Sequence, residues 1–177
     1  VAVVTFPTNL AVVDPTLVAT STLTGSALSF QRRTFFDGIY YYWAFYHDGS
    51  NTVYKSSGDG RNWNTPAPVL WSYQRTAVWF YAGSVYALGG MDKTVSGTSV
   101  TVYLYFRKGT ITGSTISWGS IVTVDSYTYT SPDANSVEAQ YRDVNLIVGG
   151  DGLITVVYTK AGFGHLLHGY DSARTLQ

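Results

Sequence analysis

The sequence predicts an all-β chain of antiparallel hairpins in series, and three observations carry that expectation. Only 12% of the 177 residues are charged, while 16% are aromatic and Gly, Thr and Ser are abundant. Side chains of that kind pack well on a pleated surface, and a chain so rich in Tyr, Trp, Phe and Val is not of the disordered class. Second, no segment of about eleven residues keeps apolar positions at helical spacing without a Gly or β-branched interruption. Third, short apolar runs alternate with Asp-Gly and similar pairs, which tolerate the positive φ of tight hairpins.

The expected strands are Ser29–Phe36, Tyr40–His47, Thr52–Ser56 and Val69–Trp71, then Ala77–Tyr81, Ser84–Gly89, Ser99–Arg107 and Thr115–Trp118. Ile121–Asp125, Val144–Val148, Leu153–Lys160 and Gly164–Tyr170 complete the set. The turns between them are Asp37-Gly38, Asp48-Gly49, Asp59-Gly60, Ala82-Gly83 and Asp151-Gly152.

The hairpins repeat. Gln31-Arg32-Arg33-Thr34, Tyr73-Gln74-Arg75-Thr76 and Gln140-Tyr141-Arg142-Asp143 each open a short apolar strand, followed by a Gly turn and a Tyr- or Val-rich strand. A further hairpin then follows in the first two units and begins in the third. Four strands per unit, at a spacing of about 40 to 50 residues, is the pattern of one blade of a β-propeller. The units read as roughly 29–71, 72–125 and 137–177, with 1–28 as an N-terminal arm or closing strand. Insertions are expected near Met91–Gly97 and Tyr127–Ser136. Three blades do not close a ring. The chain begins at Val1 and its third unit is short, so a piece of a longer protein, or a subunit completed by copies of itself, is expected. A β-sandwich is the alternative architecture.

Ser57-Gly58-Asp59-Gly60-Arg61-Asn62-Trp63 resembles an Asp box, the hairpin signature of sialidase-like propellers, one residue shorter than the usual S-x-D-x-G-x-T-W spacing. The flanking Tyr42–Gly49 and Val53–Ser56 look like the middle strands of such a blade. The second unit keeps Gly113–Trp118 without the Asp, and the third keeps Asp171–Thr175 without the Trp. In this reading Ser57, Asp59, Gly60 and Trp63 are structural. The carboxylate accepts N–H groups of its own turn, and the Trp fills space between neighbouring sheets. The resemblance implies glycan recognition, with or without hydrolysis of exo-sialidase type.

It also gives a role to Arg33, Arg75 and Arg142. Sialidases hold a substrate carboxylate with three arginines drawn from different blades, and the guanidinium fork pairs bidentately with a carboxylate. Arginines at strand starts also serve as plain structural donors, and a one-residue shift would put Arg32 in place of Arg33. The catalytic residues are unassigned. Glu138 and Tyr141 are three apart on one strand and face opposite sides. Asp37, Asp48 and Asp151 are explained by turn chemistry, with a general-acid role for Asp37 or Asp48 the minor alternative. The Tyr40–Tyr46 stretch suits sugar stacking if exposed, and inter-sheet packing if buried.

Formal net charge is zero, from 11 basic and 11 acidic residues, and no basic cluster exceeds Arg32-Arg33, so a nucleic-acid partner is not expected. No run is long and apolar enough for a membrane-spanning helix. There is no cysteine, and His47, His165 and His168 do not have metal-ligand spacing, so no metal or cofactor is expected. The low-charge, Thr/Tyr-rich composition suits an extracellular or cell-surface setting. The competing functional reading is a structural subunit of an extracellular filament, sheath or surface layer without enzymatic activity.

Overall fold

The computed structural model describes residues 33–65, 68–72, 75–130, 141–160 and 164–170, with backbone alone at 90–93, 141–143, 159–160 and 164–170. The chain is all-β and its sheets are antiparallel. The first sheet is a meander of β1 (Thr34–Phe36), β2 (Tyr42–His47), β3 (Thr52–Ser57) and β4 (Val69–Trp71). The second holds β5 (Arg75–Tyr81), β6 (Ser84–Ser96), β7 (Ser99–Thr112), β8 (Thr115–Trp118) and β9 (Val122–Thr130). The third is β10 (Tyr141–Val148), β11 (Ile154–Lys160) and β12 (Gly164–Tyr170).

The second sheet has five strands in four rows. β8 pairs with the C-terminal part of β7 and β9 with its N-terminal part, so both lie along one edge with a break at 119–121. The two expected insertions take the form of strand extensions as far as the described residues reach, and 131–136 lie outside them. Met91–Ser96 continues β6 past a register shift between Gly90 and Asp92, and Tyr127–Thr130 continues β9. Together with Ser99–Tyr103 they form a three-stranded extension of the sheet rather than loops. β7 alone runs 14 residues, roughly 45 Å at strand rise.

Burial follows from alternation. Val85 and Ala87 face the first sheet, while Tyr86 and Leu88 face the third. The second sheet is therefore covered on both faces, which is why β6 opens with an unbroken apolar run. One core joins Phe35, Trp43, Phe45, Tyr54 and Trp71 to Val78, Val85 and Ile116. The other joins Ala77, Leu88, Leu104 and Phe106 to Val144, Leu146, Val156 and Tyr158. Tyr54 ties the first interface with polar bonds, its hydroxyl donating to Ile116 O at 3.3 Å and accepting from Ile116 N at 3.2 Å. Arg107 adds another, donating to Leu70 O and Gly119 O at 2.8 Å each beneath the Trp118 ring.

The opening strands of the three sheets adjoin, with β5 lying against β1 on one side and β10 on the other. Their sense is the same. Phe35 stacks on Phe80 near the C-terminal ends of β1 and β5, with centroids 5.2 Å apart. At the other end, Thr52 beside His47 meets Thr76, Oγ1 to Oγ1 3.3 Å. Tyr81, closing β5, donates to Gly150 O just beyond β10 at 2.8 Å.

The β5–β6 hairpin turns on Ala82-Gly83, both at positive φ (47° and 76°). Ala82 is the one described non-glycine residue in that region, where its Cβ costs about 1 kcal/mol. Ala82→Asn is expected to raise unfolding free energy by about 0.5–1 kcal/mol in a urea titration. An unchanged or lower midpoint would contradict this.

Candidate functional site: the arginine end of the three sheets

Because β1, β5 and β10 run in one sense, Arg33, Arg75 and Arg142 stand at the same end of the molecule. Arg33 precedes β1 and its carbonyl accepts Phe45 N at 2.8 Å. Arg75 opens β5 opposite Gly90, and Arg142 lies second in β10 opposite Thr159. The backbones are thus brought to one end by three adjoining strands, and the side chain of Arg142 lies outside the described residues. Arg33 and Arg75 are both half-buried, and burial holds the Arg33 guanidinium below its ordinary pKa.

His47 stands at this end, closing β2. It is 2% exposed, and its Nδ1 accepts Gly49 N at 3.2 Å. Burial lowers its pKa most, Asp48 opposes that, and the Arg33 charge lowers it further, for a net value below 6.5. The unfolded chain therefore takes up this proton first as pH falls. The stability tied to neutral His47 is complete above about pH 7 and declines as pH drops through 6.5. His47→Asn keeps an acceptor for Gly49 N and removes the titration. Its thermal midpoint is expected to fall less between pH 7.5 and 5 than that of the parent chain. Equal falls would remove His47 as the origin.

Next to it lies a buried polar chain that joins the first two sheets. Trp71 Nε1 donates to Thr76 Oγ1 at 2.9 Å, and Thr76 Oγ1 meets Thr52 Oγ1. These threonines were not singled out in the sequence, because nothing local shows that residues 24 apart share a hydrogen bond. Each is a common strand residue, and burial alone makes the pairing informative.

The Asp37 and Asp59 turns lie at the opposite end, while the Asp48 turn follows His47 at the arginine end. Asp59 Oδ1 accepts Asn62 N at 2.7 Å, Arg61 N at 2.8 Å and the Ser57 hydroxyl at 2.9 Å, while Oδ2 accepts Asn62 Nδ2 at 2.8 Å. Those bonds, Asn62 N foremost, hold the carboxylate far below the usual aspartate range, and Gly60 sits at φ +72°. Asp37 is a second anchor. Its Oδ1 accepts Ile39, Tyr40 and Tyr41 N at 2.9–3.0 Å, and its Oδ2 accepts Trp43 Nε1 at 3.2 Å. Burial alone would raise its pKa, and the N–H donors, with Tyr41 first, bring it below 3.8. Asp48 is likewise lowered, by Asn51 N and then Ser50 N. Asp37 and Asp48 thus each accept the N–H groups of their own turns.

Trp63 lies half-buried beside Phe36 and Tyr42, on the face of the first sheet turned away from the second. Trp118 packs against the interface that buries Trp43 and Trp71, edge-on to Phe45 and Tyr54 at 6.4 and 6.2 Å. The Tyr40–Tyr46 stretch divides, with Trp43 and Phe45 buried in that interface and Tyr40 and Tyr42 exposed.

Glu138 lies outside the described residues, as do the side chains of Tyr141, His165 and His168. Among the described residues, no group of three His, Cys, Asp or Glu is placed to hold a metal ion, and no helix is long and apolar enough to cross a membrane. No family model, curated protein or solved structure matches this chain.

Proposed function

We propose that this chain is part of a secreted, sialidase-like propeller and that it recognises glycans at its arginine end as a binding module. One observation carries the reading: three successive sheets bring their opening strands side by side and in the same sense, and an arginine stands at the start of each. A radial set of blades would present those residues toward a common axis, where guanidinium forks suit a sugar carboxylate. The Asp59 turn at the opposite end matches the structural role of an Asp box. Recognition is favoured over hydrolysis because the carboxylates of Asp37, Asp48 and Asp59 are all held below the ordinary range.

The test is calorimetric titration with N-acetylneuraminic acid. Binding is expected, and Arg33→Ala and Arg75→Ala are each expected to weaken it by about tenfold or more. Lysine at either position should restore little, because an ammonium lacks the fork. No heat of binding, or affinity unchanged in both alanine variants, would end this reading.

The second reading, a structural subunit of an extracellular assembly, is favoured by the extension of the second sheet. Thr94, Thr101 and Thr128 form one cross-strand row and Ser96, Ser99 and Thr130 the next. Such a flat hydroxyl face suits lateral packing between copies. Concentration-dependent growth in sedimentation, lost in Thr101→Lys, would support it over glycan recognition.

A further inference from the structure

The face of the first sheet turned away from the second sheet carries a cleft of about 470 Å³. Thr34, Phe36, Tyr42 and Ala44 form its floor, and the turn residues Asp59, Gly60 and Trp63 stand beside them. Its chemistry is unlike that of the arginine end. Phe36 and Tyr42 are 46% and 44% exposed, with ring centroids 4.7 Å apart and planes tilted by 36°. Large rings left this open on a β-strand are unusual when the same sheet buries Phe35, Trp43 and Phe45 on its other face. The half-buried Trp63 lies alongside.

The one charge in the cleft is already committed. Both Asp59 oxygens hold the turn, through Asn62 N, Arg61 N and the Ser57 hydroxyl on one and Asn62 Nδ2 on the other. The carboxylate therefore contributes negative potential without a free bonding geometry, which disfavours an anionic ligand. What remains is a pair of accessible aromatic faces and a volume within the usual range of small-ligand sites. A pyranose ring combines an apolar C–H face with oxygens around its rim, and exposed aromatic rings are suited to that face.

We infer that this cleft is a second binding site, for an uncharged sugar ring packed on Phe36 and Tyr42. It rests on the glycan reading above only for its substrate class, since it uses different residues, the opposite end of the sheet and a neutral ligand. The site lets one chain engage an acidic sugar at one end and a neutral sugar at the other, so the affinity for a branched or extended glycan exceeds that for either unit.

The experiment is saturation-transfer NMR on the whole chain with methyl glycosides of galactose, glucose, mannose and N-acetylglucosamine. Transfer to the ring C–H protons of at least one glycoside is expected, lost by about tenfold in affinity in Phe36→Ala and Tyr42→Ala and unchanged in Arg33→Ala. Tyr42→Phe should retain binding, because the ring and not the hydroxyl is used. The substituted rings are nearly half exposed, and an unchanged near-ultraviolet circular dichroism spectrum confirms that each variant is folded. Absence of transfer from all four glycosides overturns the proposal, as does transfer that survives both alanine variants. Self-association abolished by those same variants also overturns it, since the cleft would then be a contact between copies. Sialic-acid binding is read separately on the arginine variants, so either site can fail without the other.

Discussion

Asp37→Ala is expected to lower the unfolding free energy by about 3 kcal/mol, the scale for losing a buried charged acceptor together with its donors. Three consecutive N–H groups, of Ile39, Tyr40 and Tyr41, end on one carboxylate oxygen, and the indole of Trp43 ends on the other. Trp43 is fully buried at the first interface, so its N–H has no water to turn to. Asp37→Asn separates the contributions. Its amide oxygen can still receive the three backbone donors, while its NH2 group then faces the indole N–H, donor against donor. About half of the loss should remain. The pH dependence follows from the lowered pKa. The carboxylate's contribution is present above about pH 3.8 and is lost as pH falls toward the folded value. Asp48 and Asp59 share that direction, so Asp37→Asn removes part of the acid-induced loss and leaves the rest. Urea titrations at pH 7 and pH 3 measure both quantities. An alanine variant within about 0.5 kcal/mol of the parent would show that the turn holds without its anchor.

Gly89→Ala is expected to cost about 3 kcal/mol, at the upper end for overpacking. The Trp71 ring, held by its bond to Thr76, lies across the place where a Cβ at Gly89 would stand. That Cβ would come 2.7 Å from Trp71 Cε2 and 2.9 Å from the carbonyl oxygen of Arg75, which is backbone and yields little. Here the last strand of the first sheet is pressed onto β6 of the second, so the strain falls on the interface between them. Removing the ring tests the mechanism. In Trp71→Leu the clash with the ring is relieved and only that with Arg75 O remains, so the double variant is expected to be less destabilised than the two single losses added together. Strict additivity would place the cost of Gly89→Ala elsewhere.

Much of the fold was legible locally. All twelve expected strands occur, because apolar runs bounded by Asp-Gly and Ala-Gly pairs state where a chain extends and where it turns. The Asp59 turn was legible for the same reason, since donors and acceptor lie within a few residues. The lengths of β6, β7 and β9 were less so. Met91–Gly97 reads as an insertion because the units are unequally spaced, and a register shift after Gly90 lets its pairing with β7 resume. Pairing partners distant in sequence supplied what propensity did not.

By itself, then, the sequence determined an antiparallel all-β chain, the positions of its turns, and an arginine near the start of each of three sheets. Tertiary structure decided which of those features meet. It set Val85 and Tyr86 on opposite interfaces, placed Trp63 beside Phe36 and Tyr42, packed Trp118 against the core of Trp43 and Trp71, and joined Thr52 to Thr76. The division has a physical cause. Turn hydrogen bonds and strand alternation act over a few residues, whereas the face a strand buries depends on which surface another part of the chain brings to it.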